Sequence, residues 1–325
     1  MFAEAIEAIL KDQCTPIVVR AIESGGSPAK LWQALEDAGF LELLAPEAQD
    51  GAALPLAELF PILSSFGSYA LPLPAGQTIL ARAVLAPHAA PPGMLTLATT
   101  FQRAPSGAIS CPLTPFGMLA DSVLARDGDD VLLLPCVDAQ RLHTGVPNSQ
   151  TASLIWPDER SATRFPGRGV QLSVYAATLY AALLSGAMTR VFEMTLQHCN
   201  DRVQFGKSLG KFQAVQHQLS VMAEHTAAAA IAAEAAFRTG DSAPSFLASA
   251  MAKSRTSEAA ALVAATAHAL HGAMGVTADY DLQLLTRRLH EWRIAHGSEA
   301  YWNLLIGQQV LASDASTLVD FARSI

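Results

Sequence analysis

Apolar residues recur every three to four positions at both ends of the chain and lose that spacing in the middle. Near the start, Phe2, Ile6, Ile9 and Leu10 fall on one helical face, because positions three and four apart lie above one another on a helix. Ser27 and Pro28 form a cap and first-turn pair ahead of the stripe Leu31, Trp32 and Leu35, and Gly39 ends that helix. The stretch "APEAQDGAALP" then reads as a polar connection. Between Pro91 and Gly169 prolines and glycines cluster, and β-prone runs such as "MLTLATTF" and "SVLARDGDDVLLLP" appear. In the second run Asp127-Gly128 sits between two apolar segments, a hairpin signal. Five or six short strands are expected there.

From Val170 the helical period returns. Leu184, Met188, Val191 and Met194 mark one stripe, and Phe212, Val215, Leu219 and Met222 a second. Leu247, Met251, Leu262 and Ala269 mark a third, rich in alanine, and Trp302, Leu305 and Leu311 the last. The pattern predicts a mainly α protein with a small β module. It consists of an N-terminal helical domain over residues 1–90, a middle β domain over 91–169 and a C-terminal four-helix bundle over 170–325. So much alanine lets bundle helices approach closely.

Composition narrows the function classes. Of 325 residues 51% are hydrophobic and 15% charged, which describes a packed globular protein rather than a disordered one. The net charge is −8 and the basic residues are scattered, so no stripe suits nucleic acid. Cys14, Cys111, Cys136 and Cys199 form no close pair and read as buried thiols of a reducing compartment. The N-terminus has no basic-then-apolar signal, and no apolar run looks long enough to span a bilayer. The expectation is a cytoplasmic protein without a membrane partner.

Two stretches carry candidate chemistry. In "RVQFGKSLGKFQAVQHQLSVMAEH", Arg202 and Gln204 precede a break at Phe205-Gly206, and a loop with Lys207, Gly210 and Lys211 leads to a helix opening at Phe212-Gln213. Glycines near a helix start, with two or three cations, can hold a diphosphate. The same residues also suit a solvated interhelical loop. In "RIAHGSEAYW", Ser298 is placed to cap a helix with Glu299 in its first turn. That leaves His296 on the preceding turn as a base, a ligand or a remnant. His268 and His271 share a helix face, and His290 and His296 follow, but no ligand set with metal spacing is completed. Glu258, Glu291 and Glu299 read as solvated helix-face carboxylates.

Arg202-x-x-Phe-Gly-Lys-x-Leu followed by Phe212-Gln-x-x-Gln-x-x-Leu-x-x-Met resembles the signature of acyl-CoA dehydrogenases. "AMAKSRTSEAA" (250–260), "HGAMGVTADYDLQLLTRRL" (271–289) and the following "HGS" continue it in the family's order, and "LWQALEDAGFLELLAPEAQDG" (31–51) is similar to its N-terminal helix pair. The resemblance implies FAD-dependent α,β-dehydrogenation of an acyl-CoA, with an electron-transfer flavoprotein as acceptor. It also implies that Arg202 and Phe205 reach a neighbouring subunit's FAD, with Gln204 and Phe212 close by, and that the Gly272–Gly275 turn lies against the same cofactor.

The departures point further. The family's usual base, a glutamate before Gly-Thr or Gly-Ser, aligns with His296, and the alternative base position falls on Ala176. Where many relatives have an arginine stands Ala177, and the glutamine before the glycine turn is Ala269. No Thr-Glu-Pro-x-x-Gly-Ser or Trp-x-Thr stretch supplies flavin-ring contacts, and "TLATTFQRAPSGAISCP" occupies the first of these places, so the β domain is shortened. A histidine can act as general base near neutral pH. Without a flavin platform in this chain, His296 reads as a vestige, and no catalytic residue is expected. These features are similar to the base-lacking, shorter subunit of bacterial α2β2 acyl-CoA dehydrogenases that act on steroid side-chain CoA thioesters. Such a chain completes the FAD site across an interface with its partner subunit. The alternatives are an active homo-oligomer using His296 or a relocated carboxylate, and a non-enzymatic helical scaffold.

Overall fold

The computed structural model describes residues 2–49, 51–85, 90–167, 169–238, 243–315 and 317–323. Five helices open the chain: α1 (Phe2–Gln13), α2 (Pro16–Glu23), α3 (Ala29–Asp37), α4 (Leu56–Ser68) and α5 (Ala75–Leu85). Eight strands follow: β1 (Leu95–Ala98), β2 (Gln102–Arg103), β3 (Ile109–Thr114), β4 (Ser122–Asp127), β5 (Asp130–Pro135), β6 (Gln140–His143), β7 (Ala152–Trp156) and β8 (Thr163–Pro166). The C-terminal half contains α6 (Leu172–Asp201), a small hairpin of β9 (Val203–Gln204) and β10 (Lys207–Ser208), α7 (Gln213–Ala235), α8 (Phe246–His271), α9 (Leu282–Ile294), α10 (Glu299–Ala312) and α11 (Leu318–Arg323). The chain forms two compact units. One comprises Met1–Glu7, Leu56–Ala70 and Ala177–Ile325, the other Ala8–Pro55 and Leu71–Ala176.

In the second of these units, local chemistry sets the helix ends. Thr15 caps α2, its Oγ1 accepting from Val18 N at 3.4 Å, and Pro16 takes the first helical position. The strands make two four-stranded sheets, ordered β1-β4-β5-β8 and β2-β3-β7-β6. Among the described residues eight strands form rather than five or six, because residues such as Gln102–Arg103 pair over too short a run to show alternation. The Asp127-Gly128 hairpin is present, with Asp127 opposite Asp130. Val123, Ala125, Leu132 and Leu134 from one sheet and Ile109, Cys111, Leu154 and Trp156 from the other form one buried core. Burial pushes the Cys111 thiol up to about 12 and Cys136 to about 11, so both are inert packing groups.

In the first unit, α4 and α6 cross at near backbone contact. A Cβ on Gly67 would lie 2.1 Å from Leu183 O, and one on Gly186 would lie 1.8 Å from Ser64 O. Ser68 Oγ donates to Gly186 O at 3.0 Å across the crossing. The core face of α8 is not the expected Leu247–Met251–Leu262–Ala269 stripe. Met251 is exposed, and the buried face is built of small residues, including Ser249, Ala250, Ser257, Ala260, Ala264 and Ala267. Close packing selects for size there, and size carries no hydrophobic period. After α8 the chain continues in α9 and α10, with a break at residues 295–298, and the short α11 follows. Contrary to the sequence expectation, α6 and the helix from Phe246 are each long and apolar enough to cross a membrane. In α6 that surface is largely buried within the protein, and α8 carries the buried Lys253, Ser249, Thr256 and Ser257 on packed faces.

Candidate functional site

Arg202 follows the last turn of α6, its N donating to His198 O at 2.9 Å, and Arg202 O accepts from Leu209 N at 2.9 Å, closing a short loop. Inside it β9 and β10 pair Gln204 with Lys207 and Val203 with Ser208, leaving Phe205-Gly206 as a two-residue turn. Both turn residues have positive φ, 51° and 81°, the pattern of a type I′ hairpin. Phenylalanine is an unfavourable residue in that left-handed region. Phe205 nevertheless stands there with 93% of its surface exposed. Phe212, the residue before α7, meets it edge-on at 6.4 Å, and Lys207 Nζ lies 4.2 Å from the Phe212 ring centroid. Gln204 is exposed alongside. Among the described residues, Arg202, Lys207 and Lys211 make no ion pair.

The Gly272–Gly275 turn starts where α8 ends. Gly272 has φ 63° and ψ −149°, a conformation open only to glycine, and no atom would meet a Cβ there. Gly275 is buried, and a Cβ would lie 2.9 Å from that of His271. His271 stacks on His198 of α6 with ring centroids 4.3 Å apart and planes 22° apart. The stack brings the ends of α6 and α8 together, and with them the two predicted cofactor-binding segments.

His296 lies in a third place, on the turn between α9 and α10, with φ 57°. Tyr180 packs edge-on against its ring at 4.8 Å, and Trp302 Nε1 donates to its carbonyl oxygen at 3.1 Å. Its Nε2 is shut off from solvent. Burial, then the Lys253 ammonium, pushes its pKa down to about 3. An imidazole that holds a proton so weakly is a poor acceptor for an α-proton. Ser298 stands at the cap of α10 without a capping bond from its side chain. Glu299 instead pairs with Arg293, accepting from Nε at 3.0 Å, which holds its carboxyl below the usual range. Glu258 pairs with Arg255 and Glu291 with Arg288. Ala176 and Ala177 are fully buried, and Trp302 packs against Ala177 and Ala250.

Sequence reasoning missed Lys253. It is fully buried on α8 and donates to Ser257 Oγ at 2.8 Å, Arg293 O at 2.8 Å and Gly297 O at 2.9 Å. The available signal was a lone lysine among the small residues of "AMAKSRTSEAA". Through those carbonyls it holds the turn that carries His296.

Residues 174–311 match the acyl-CoA dehydrogenase C-terminal domain. The acyl-CoA dehydrogenase IpdE2 of Mycolicibacterium smegmatis is 30% identical over 296 residues, spanning 89% of this chain and 91% of that protein. The chain belongs to the acyl-CoA dehydrogenase family. Two solved structures show the same fold. A chain of the ChsE4-ChsE5 complex from Mycobacterium tuberculosis has a TM-score of 0.84 at 22% identity, over 96% of this chain and 97% of that one. A Tcur3481-Tcur3483 steroid ACAD variant has a TM-score of 0.82 at 24% identity, over 95% and 96%. Acyl-CoA dehydrogenases are oxidoreductases of CH–CH groups, and the family's cofactor is FAD. The donor set at the first two places fits such a group. A guanidinium and two ammonium groups without carboxylate partners among the described residues suit a diphosphate, and an exposed aromatic face beside an open glycine suits a flat ring system.

Proposed function

We propose that this chain is the non-base-bearing subunit of a heteromeric FAD-dependent acyl-CoA dehydrogenase and completes its partner's cofactor site across the subunit interface. One observation carries the reading: the hairpin displays Phe205 to solvent in a strained conformation while the usual base position holds a shielded, weakly basic histidine. A hydrophobic ring held outward gains little burial within its own chain beyond the edge contact with Phe212, and a site without a base cannot remove an α-proton. In this arrangement Arg202, Lys207 and Lys211 neutralise the cofactor's diphosphate, while Phe205, Phe212 and the Gly272–Gly275 turn hold its flat portion. When bound, FAD supplies the hydride acceptor for the β-hydrogen. The partner chain brings the base that takes the α-proton. Trp302 against Ala177 and Ala250 fills this chain's own bundle at the place left by smaller side chains.

The two named structural neighbours, the ChsE4-ChsE5 complex and the Tcur3481-Tcur3483 steroid ACAD, each pair two differently named chains, which supports a two-component assembly. The second of those names supports a steroid-type acyl-CoA as the substrate class, and an electron-transfer flavoprotein is the proposed acceptor. An α2β2 stoichiometry and a cytoplasmic location complete the proposal.

The test is flavin content of the chain purified alone and after co-expression with an acyl-CoA dehydrogenase-like partner. Colourless protein alone and yellow protein together is the expected result. Stoichiometric FAD in the chain alone would overturn the reading, as would absence of FAD from both preparations. In the complex, Arg202→Ala removes a charge-assisted contact to phosphate, so FAD affinity falls roughly tenfold or more.

A further inference from the structure

We propose that His198 and His271 are positioning residues that hold the 202–212 hairpin and the Gly272–Val276 turn together for the cofactor and let them separate on acidification. The inference rests on the proposed cofactor role of those two segments. Each histidine is the anchor of one of them. His198 O accepts from Arg202 N at the root of the hairpin. His271 immediately precedes Gly272, and its Cβ lies against Gly275. The 4.3 Å stack is therefore a direct tie between the two.

The hydrogen bonding makes this tie sensitive to protons. His271 Nδ1 lies 2.9 Å from Ala267 O. A carbonyl only accepts, so Nδ1 carries the hydrogen and Nε2 is the bare nitrogen of the neutral ring. That Nε2 is buried and has no hydrogen-bond partner among the described residues. An added proton on His271 must sit there, with no acceptor and with the His198 ring beside it. Few compensating charges are near. His198 faces Arg202, which opposes its protonation, and Asp201, which favours it. His271 faces His198, His268 one turn back on α8, and the ring of Tyr280 at 5.4 Å. His268, tied to Thr286 at 2.9 Å, faces His290 of α9. Of these groups only Asp201 is acidic. Burial first lowers both His198 and His271 from the ordinary 6.5. A histidine depressed in the folded state contributes stability above its unfolded value and loses it as pH falls through its folded one. The stack is whole at neutral pH and opens in acid.

The experiment uses the flavin-loaded complex and the full chain by itself. In the complex, FAD affinity is measured at about pH 7.5 and about pH 5.5, and in the wild type it falls roughly fivefold or more at the lower pH. The double variant His198→Phe with His271→Phe keeps an aromatic pair without a titrating nitrogen, and it is expected to bind FAD at neutral pH with at most a roughly twofold acid effect. Equal acid sensitivity in the wild type and the double variant overturns the proposal. For the full chain without flavin, hydrogen exchange reads residues 203–212 and 272–276. Their protection falls together on acidification in the wild type. Unchanged protection, or loss in one segment alone, also overturns it, whether or not the double variant folds. Failure of the complex to bind FAD at any pH instead overturns the proposed function, and the exchange measurement still judges the tie.

Discussion

Lys253 has three ammonium hydrogens and three oxygen acceptors, two of them backbone carbonyls on either side of His296. Its burial nevertheless pulls it down to about 7 from 10.5, with Glu299 raising it and Arg293 lowering it. Between those two values the unfolded chain binds the proton more readily than the folded one, so this group's contribution to stability grows as pH rises. Lys253→Ala should cost roughly 2–5 kcal/mol by leaving a cavity and taking its hydrogen bonds from Gly297 O and from Arg293 O, which keeps Ser257 Oγ as a donor. The gap between wild type and variant, read by chemical denaturation, should widen from about pH 7 to about pH 10. A gap that narrows over that range would refute the buried-charge account. His296 gives a contrasting prediction. Because its pKa near 3 makes it a poor base, His296→Ala should leave turnover of the complex within about twofold. A drop of a hundredfold or so would instead make it the base.

At the level of elements, the hairpin and the α4–α6 crossing both depart from what is locally most comfortable. Phe205 in the left-handed region costs its turn roughly 1–2 kcal/mol, and Asn-Gly is the favoured pair for this turn type. Phe205→Asn should therefore stabilise the chain by about 1 kcal/mol in thermal or chemical denaturation while weakening FAD retention in the complex. Gain in one and loss in the other identifies strain kept for function. A variant that loses stability would show that Phe205 packs within its own chain. At the crossing, Gly186→Ala forces a methyl into the Ser64 carbonyl. The two helices must move apart, and a loss of about 1–3 kcal/mol is expected in the same measurement.

At the scale of the whole molecule, the reading turns on association, and light scattering of the chain with and without its partner should show a larger, flavin-containing species only in the mixture. Much of the architecture was legible along the chain. Helical periods marked the C-terminal helices, though Leu311 of the last stripe is exposed; the Asp127-Gly128 pair marked its hairpin, and the ordered motifs from Arg202 to Gly297 carried the family resemblance. These features depend on local spacing, and spacing is what a sequence displays. The α8 core face was not legible, because Ser249, Ala250 and Ala264 are buried for their size, and small residues look alike on every face. Nor was the role of Lys253, whose partners at Arg293 and Gly297 lie 40 and 44 residues away. The sequence by itself determined most of the element types and the family resemblance, and it sets His296 where that resemblance expects the base. Only the tertiary structure decided that His296 is a shielded weak base, that Phe205 points outward, and that His198 and His271 join two distant motifs. Those outcomes depend on which helix ends meet in space, and burial and charge act over distances that no linear period encodes.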